Sequence, residues 1–354
     1  MKTLEINKTP VNTSRNFNIN NIKLKNINIP ENISDFDNIK IYKNSSKINI
    51  DENIDDYNLT YGLGDILTNQ IKEKSNKKLK LTIDSKLNEE IQIDFKFDNT
   101  NLALLDNIEI VANENCKSTI IIKYESNENI ECFHNGIIKL VAKNNSQVDV
   151  IIINYMNENS NNFMSIESNL ESNAEVKYTI IEFGGKNSIT NIYSNLIGKC
   201  SSNIINTIYL GKKDQLFDMN YIAELSGEKT NIDIKVQGAL KDKSTKHFKG
   251  TINFKKGCIL AKGNENEECI LLSDTAKSLA LPILLCSEEN VEGNHSSSAG
   301  KIGEKELFYI MSRGFKLKDA MKLMVRAKFN EILLDIRNEE MRNQIIDKID
   351  TRLD

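Results

Sequence analysis

The sequence predicts an all-β core folded as a parallel β-helix, with a less regular N-terminal region and a helical C-terminal domain. Three observations carry this. Short β-branched runs fill the middle of the chain, they recur every 28 residues, and the hydrophobic period turns helical after Gly303. The boundaries that follow are 1–77 for the N-terminal region, 78–302 for the solenoid and 303–354 for the helices.

Taken in order, residues 1–75 show no steady period, and YGLGDILTNQIKEK (61–74) reads as a short helix after a glycine turn. The strand runs then begin: LKLTI (79–83), IQIDF (91–95), TIIIKY (119–124), IIKLVA (137–142), VDVIII (148–153), VKYTII (176–181), NIINTIYL (203–210) and NIDIKV (231–236). Each is bounded by Asn, Ser, Gly or Lys, as strands between turns should be.

Ile120, Val148, Val176, Ile204 and Ile232 are each 28 residues apart, and the residues before them are alike, for example Asn144-Asn145-Ser146 and Cys200-Ser201-Ser202. A weaker series falls between them, near Ile138, Ile166, Ile192 and Tyr221. Self-similarity at such a period marks a solenoid, and a strand–turn–strand–turn unit without a helix makes it a β-helix. One wide coil or two narrow ones fit the period equally, and a β-sandwich with regular strand spacing is the alternative.

Past Gly303 the pattern is helical. Glu304–Ser312 is a short helix stopped by Gly314. A second, over 317–336, puts Met321, Val325, Phe329, Ile332, Leu333 and Ile336 on one face, and a third, over 339–353, does so with Met341, Ile345 and Ile349. These helices suit either a cap on the last coil or a docking face for another protein.

Composition excludes several roles. Lys+Arg is 46 against Asp+Glu 50, which argues against nucleic acid as the main partner. The N-terminus lacks the apolar stretch of a signal peptide and no segment approaches a membrane span. Six dispersed cysteines without a CxxC pair read as reduced thiols, and with them the expectation is a cytoplasmic protein. The abundance of Asn, Ile and Lys fits an AT-rich genome and carries no functional conclusion.

No strong catalytic signature is present. YGLGD (61–65) and FGGKN (183–187) lack the spacing and the Lys-Ser/Thr of a phosphate-binding loop. Cys132-x-His134 offers two metal ligands, too few for a closed site, and fits core packing better. His295 is the more serious candidate, in a loop of small residues, GNHSSSAG, where a backbone can approach another surface. Imidazole is a good ligand for iron or zinc. Cys286, Glu288, Glu289 and Glu292 are close enough in sequence to share its site. On the residues alone, a solvated histidine beside a wet run of acids is the simpler reading. Acid pairs in a β-helix groove also serve polysaccharide-active enzymes, which supplies the enzymatic rival; a purely structural solenoid is the third reading.

The segment ILLSDTAKSLALPILLCSEENVEGNHSSSAGKIGEKELFYIMSRG (270–314) resembles the SufB/SufD family of iron–sulfur cluster assembly proteins, most closely its SufD branch in Gram-positive anaerobes. The family shows, in this order, Leu-Leu-Ser, a Pro before apolar residues, Glu-Glu, Gly-x-His, Gly-Lys-Ile/Leu, Leu-Phe-Tyr and Ser-Arg-Gly. LKDKSTKHFKGTINFKKG (240–257) is similar to a family turn, and AEVKYTIIEFGGKN (174–187) and IYLGKKDQLFDMNYI (208–222) to its repeated coils. Similarity is dense from about 235 to 336 and fades toward the N-terminus.

The resemblance implies a right-handed parallel β-helix with helical ends and a non-enzymatic subunit of the SUF complex. It implies pairing with a SufB-like scaffold, or a second copy, through the β-helix, and docking of the SufC ATPase through the C-terminal helices. His295 takes the position of an interface histidine implicated in cluster formation, with Cys286 and Glu292 as lesser candidates. Phe308, Tyr309, Ser312, Arg313 and Gly314 lie in the region associated with SufC docking. No tightly bound cofactor is implied, only a transient iron–sulfur cluster at the subunit interface, its remaining ligands coming from the partner. Many SufD proteins have Cys two residues before this His and Gly after it, where this chain has Gly293 and Ser296; SufB-type chains have Glu after it.

Overall fold

The computed structural model describes residues 3–13, 18–43, 48–54, 58–84, 86 and 88–354. At the N-terminus β1 (Thr3–Ile6) and β2 (Ile22–Lys25) form an antiparallel hairpin, followed by β3 (Ile39–Lys43) and β4 (Ile48–Asp51). Helix α1 (Asp65–Lys74) then starts after Gly64, whose φ of 128° suits glycine, where the sequence predicts a helix.

Sixteen strands among the described residues build the solenoid. The first coils are β5 (Lys77–Ile83), β6 (Asn88–Phe97), β7 (Ala103–Ala112), β8 (Lys117–Ser126), β9 (Phe133–Ala142) and β10 (Gln147–Tyr155). The middle coils are β11 (Asn161–Leu170), β12 (Glu175–Glu182), β13 (Asn187–Leu196), β14 (Ser202–Gly211), β15 (Leu216–Leu225) and β16 (Asn231–Leu240). The last are β17 (Thr245–Phe254), β18 (Lys262–Leu271), β19 (Lys277–Cys286) and β20 (Glu292–Gly300). Even-numbered strands stack in one parallel sheet from β6 to β20, and odd-numbered strands in a second from β5 to β19. One coil is therefore one strand of each sheet, about eight turns in all. This answers the question of coil size with a single wide coil.

The weaker of the two sequence series is the true register: Ile138, Ile166, Ile192 and Tyr221 stack directly on one another. The stronger series drifts. Val148 pairs with Val176, but Ile120 pairs with Val150, Val176 with Asn203, and Asn203 with Ile232. Coils differ in length, from 26 residues between Ile166 and Ile192 to 32 between Gly250 and Pro282. A fixed period of 28 lies within this range without matching every coil, and because strand side chains alternate, a slip of one residue turns Ile204 outward and Asn203 inward.

The similar residues before each strand form a column of corners. Asn115, Asn145, Asn173, Cys200, Lys229 and Leu260 all hold φ between 55° and 61°. Each donates its N–H to a carbonyl of the next coil, at 2.7–3.0 Å. Asn tolerates this left-handed conformation better than other non-glycine residues, so part of the Asn abundance has a structural use.

Apolar side chains on the inner faces of both sheets fill the coil, with Tyr124, Tyr178, Phe95, Phe217 and Phe248 fully buried. The outer faces are covered by the chain's two ends. The hairpin and α1 pack Leu4, Ile6, Leu63 and Leu67 on Leu105, Phe133, Phe163 and Ile189 of the odd sheet. There Lys249 Nζ donates to Asp218 Oδ1 (2.6 Å) and to the Asn7 carbonyl (2.8 Å), fastening the hairpin.

Three helices finish the chain: α2 (Glu304–Ser312), α3 (Leu317–Leu333) and α4 (Glu339–Leu353). α3 ends earlier than the predicted 336 because the N–H groups of Asp335 and Ile336 bond three residues back, although Ile336 stays buried. Val325, Phe329, Ile332, Met341, Ile345 and Ile349 pack on Ile121, Ile151, Ile181, Ile208 and Ala239 of the even sheet. The helices thus cover a flank of the solenoid and leave its last coil uncovered. No helix among the described residues is long and apolar enough to cross a membrane.

Candidate functional site

The open axial end of this last coil, whose β19 carries Val11 and Ile19 on its outer face, is where the structure puts His295. GNHSSSAG is not a loop: Glu292–Gly300 is β20, paired in parallel with β18, with Glu265 opposite His295 and Glu267 opposite Ser297. Its small polar residues hide the strand because neither face is buried, so no hydrophobic alternation exists to be read. Pairing to β18 supplies what composition does not.

Orientation follows from the two neighbours of His295. A Cβ on Gly293 would lie 3.0 Å from the Phe254 ring inside the coil, and Ser297 Oγ donates to the inner carboxylate of Glu267 at 2.7 Å. Side chains alternate along a strand, so His295 faces the interior from its rim. Glu292 points the other way and makes a surface ion pair with Lys262 at 2.9 Å. Cys286, at the exposed end of β19, donates its thiol to the Glu288 carbonyl at 2.9 Å. Cys286, Glu292 and His295 are not gathered into one cluster, and among the described residues no three His, Cys, Asp or Glu side chains converge on a metal-sized site.

Beneath His295 the coil interior is polar, which the sequence reading misses. Lys246 and Glu267 are fully buried and bonded at 2.6 Å, with Tyr209 OH at 3.3 Å from the same carboxylate oxygen. Burial pushes up the thiol of Cys269 beside them. Glu265 is 2% exposed, and among the described residues neither carboxyl oxygen has a hydrogen-bond partner. Burial first, then the charge of Glu267, raises its carboxyl to about 8. Its room comes from Gly250 across the coil, where a Cβ would sit 2.1 Å from Oε2. The run KGNENEECIL (262–271) looks like a solvated charge run; inward-pointing acids at alternate positions were the available signal.

Cys132 and His134 are core residues. His134 Nε2 meets Asp106 Oδ1 at 2.7 Å and Nδ1 meets Asn162 Oδ1 at 2.5 Å, while burial raises the Cys132 thiol to about 11.

α2 shows the opposite character. None of its residues is buried; Phe308 is 75% and Tyr309 60% exposed, continuous with exposed Met311, Phe315 and Leu317. Arg313 lies over the Tyr309 ring at 5.3 Å and donates to its hydroxyl at 3.1 Å. Ser312 Oγ donates to the Tyr309 carbonyl, and Gly314, at φ 97°, turns the chain into α3. Exposed apolar surface of this kind suits an interaction site.

Known proteins share this architecture's sequence. Residues 95–328 match the family model described as SUF system FeS cluster assembly, SufBD core domain. The iron–sulfur cluster assembly protein SufD of Bacillus subtilis is 20% identical over 265 residues, 74% of this chain and 61% of its own length. An iron–sulfur cluster assembly SufBD family protein of Pyrococcus horikoshii is 27% identical over 68% of this chain and 54% of its own length. SufD of Escherichia coli is 23% identical, over 68% of this chain and 57% of its own length. The matches thus span little more than half of these relatives. With the family model covering about two thirds of the chain on a β-solenoid core, this chain belongs to the SufBD core-domain family of the SUF iron–sulfur cluster assembly system.

Proposed function

We propose that this chain is a SufD-like, non-enzymatic subunit of a cytoplasmic SUF complex, working through two protein contacts and one interface ligand. The observation that carries it is the open rim: among the described residues β19 and β20 end the two sheets with their outer edges unpaired, and His295 stands on that rim. An unpaired edge strand is a template for another chain's strand. A SufB-like scaffold, or a second copy, completes the sheets there.

His295 then supplies one imidazole to a nascent cluster, the cargo of the complex, and the partner supplies the other ligands. The exposed face of α2 takes a SufC-like ATPase, with Phe308 and Tyr309 as its apolar anchors and Arg313 held in place by Tyr309. Nucleotide-driven movement of the ATPase shifts the rim between closed and open populations. The acids Glu265 and Glu267 of β18 point into the interior and Glu292 of β20 pairs on the surface, an arrangement that does not favour a polysaccharide groove.

Co-expression with a SufB-like and a SufC-like chain, followed by size-exclusion chromatography and iron and sulfide analysis, tests this. Phe308→Ala loses the ATPase while the other two chains stay together. His295→Ala keeps the whole assembly but carries less iron and sulfide. An assembly that keeps the ATPase with Phe308→Ala overturns the docking role, and unchanged iron and sulfide with His295→Ala overturns the ligand role.

A further inference from the structure

We propose that Glu265 and His295 together form a divalent-cation site in the mouth of the solenoid, so that the isolated chain binds a ferrous-type ion before any partner closes the rim. The inference rests on the reading of His295 as a ligand and adds a second donor from this chain. Glu265 and His295 are register partners on adjacent parallel strands, hence about 4.8 Å apart along the stacking direction. Both face the interior, as the contacts of Gly293 and Ser297 on either side of His295 require.

The decisive feature is that Glu265 has nothing to bond. A buried carboxyl with two unsatisfied oxygens is costly, and native structures keep few such groups without a use. Its neighbours are already engaged. Lys246 is bonded to Glu267, whose second oxygen takes the Ser297 hydroxyl, and the pair is internally neutral. Only Glu265 is left to accept a cation. Gly250 keeps the space around its carboxyl open, since any side chain there would overlap Oε2. A carboxylate beside an imidazole is a borderline oxygen and nitrogen donor set, suited to Fe2+, Co2+ or Zn2+ more than to Ca2+ or Mg2+. The double charge of the ion offsets the burial that penalises Glu265, and His295, exposed at the rim, leaves the entry side open. Water fills the remaining positions in the free chain, and the partner's rim replaces it on assembly.

Anaerobic titration of the purified full chain with Co2+ alone, followed by its visible absorption and by equilibrium dialysis, tests the site. The expected result is a single saturable site, weakened at least about tenfold by Glu265→Gln and by His295→Ala, a loss already typical of an outer-shell partner. Asn294→Ala, on the same strand but facing outward, leaves it unchanged. A chain that binds no Co2+, or a folded Glu265→Gln variant that binds it as before, overturns the proposal. If Glu265→Gln fails to fold by circular dichroism, anomalous scattering from crystals of the unaltered chain soaked in Co2+ decides. A peak between the Glu265 carboxyl and the His295 ring supports the site, and one elsewhere overturns it. Loss of iron from the His295→Ala complex alongside normal Co2+ binding by Glu265→Gln removes this site and leaves the proposed function standing. The reverse pattern removes the cluster role and leaves the site.

Discussion

At its N-terminal end the solenoid runs two strands antiparallel, β3 on β6 and β4 on β5, whereas at its C-terminal end β19 and β20 leave their outer edges bare. The first end is finished with aromatic packing: Phe36 meets Phe95 and Phe97 edge-on, and Phe95 stacks on Tyr124 at 5.2 Å. The second is lined by Gly, His and Ser, exposed along all of β20. A solenoid needs both ends covered, because each exposes a row of backbone groups. One end is covered by this chain itself. The other stays open, above the buried Lys246–Glu267 pair.

The difference between the ends breaks most visibly under truncation of the aromatic cap. Phe95→Ala removes a fully buried ring and should cost about 3–5 kcal/mol in a urea denaturation, where the same experiment on His295→Ala shows almost nothing. Equal losses at both positions would mean that the open end carries as much of the fold as the closed one.

A somewhat smaller effect reads how far the closed part of the interior excludes water. Glu182 is buried in the middle coils, where burial raises its carboxyl from 4.5 to about 7 against the lowering effect of hydrogen bonds from Ser188 and Asn154. The folded chain holds this proton more tightly than the unfolded one. Its contribution is therefore fully present below about 4.5 and is lost as pH rises to about 7. The loss is on the order of 3 kcal/mol. Glu182→Gln should flatten that part of the stability–pH curve. An unchanged curve would show that water reaches the middle coils.

The smallest effect is expected at the rim itself. Lys262→Ala removes the ion pair with Glu292, both side chains more than half exposed, and should shift stability by no more than about 0.5 kcal/mol in the same denaturation assay. A larger loss would make the rim part of what holds the fold together.

How much of this was legible in the sequence follows the same division. Where coils are closed, apolar alternation against buried neighbours writes itself into the chain, and the series Ile138, Ile166, Ile192, Tyr221 reports the register directly. Helices α2 and α4 end where the period and the glycine stop place them. The regular spacing from Ile120 to Ile232 was partly a coincidence of unequal coils, since a period reports mean length and not register. At the open end the signal fails for a physical reason. β18 and β20 are strands by virtue of stacking on a neighbour, and with polar interiors or two wet faces they carry no hydrophobic alternation. His295 stood out among its small neighbours and took its role from resemblance; the isolation of Glu265 needed coordinates.

The C-terminal helices have a mechanical consequence. α3 and α4 rest on residues of β8, β10, β12, β14 and β16, strands that together span about 19 Å along the stacking axis. They are also clamped by Lys177 to Asp335, Lys235 to Glu331, and Arg352 to the Leu210 carbonyl. A load applied at α3 or α4 is therefore shared across five rungs of hydrogen bonds. The solenoid behaves as a stiff beam gripped along its side. α2 joins the rim strand directly through residues 301–303, so a pull on it is felt at β20 and at the α3–α4 grip together.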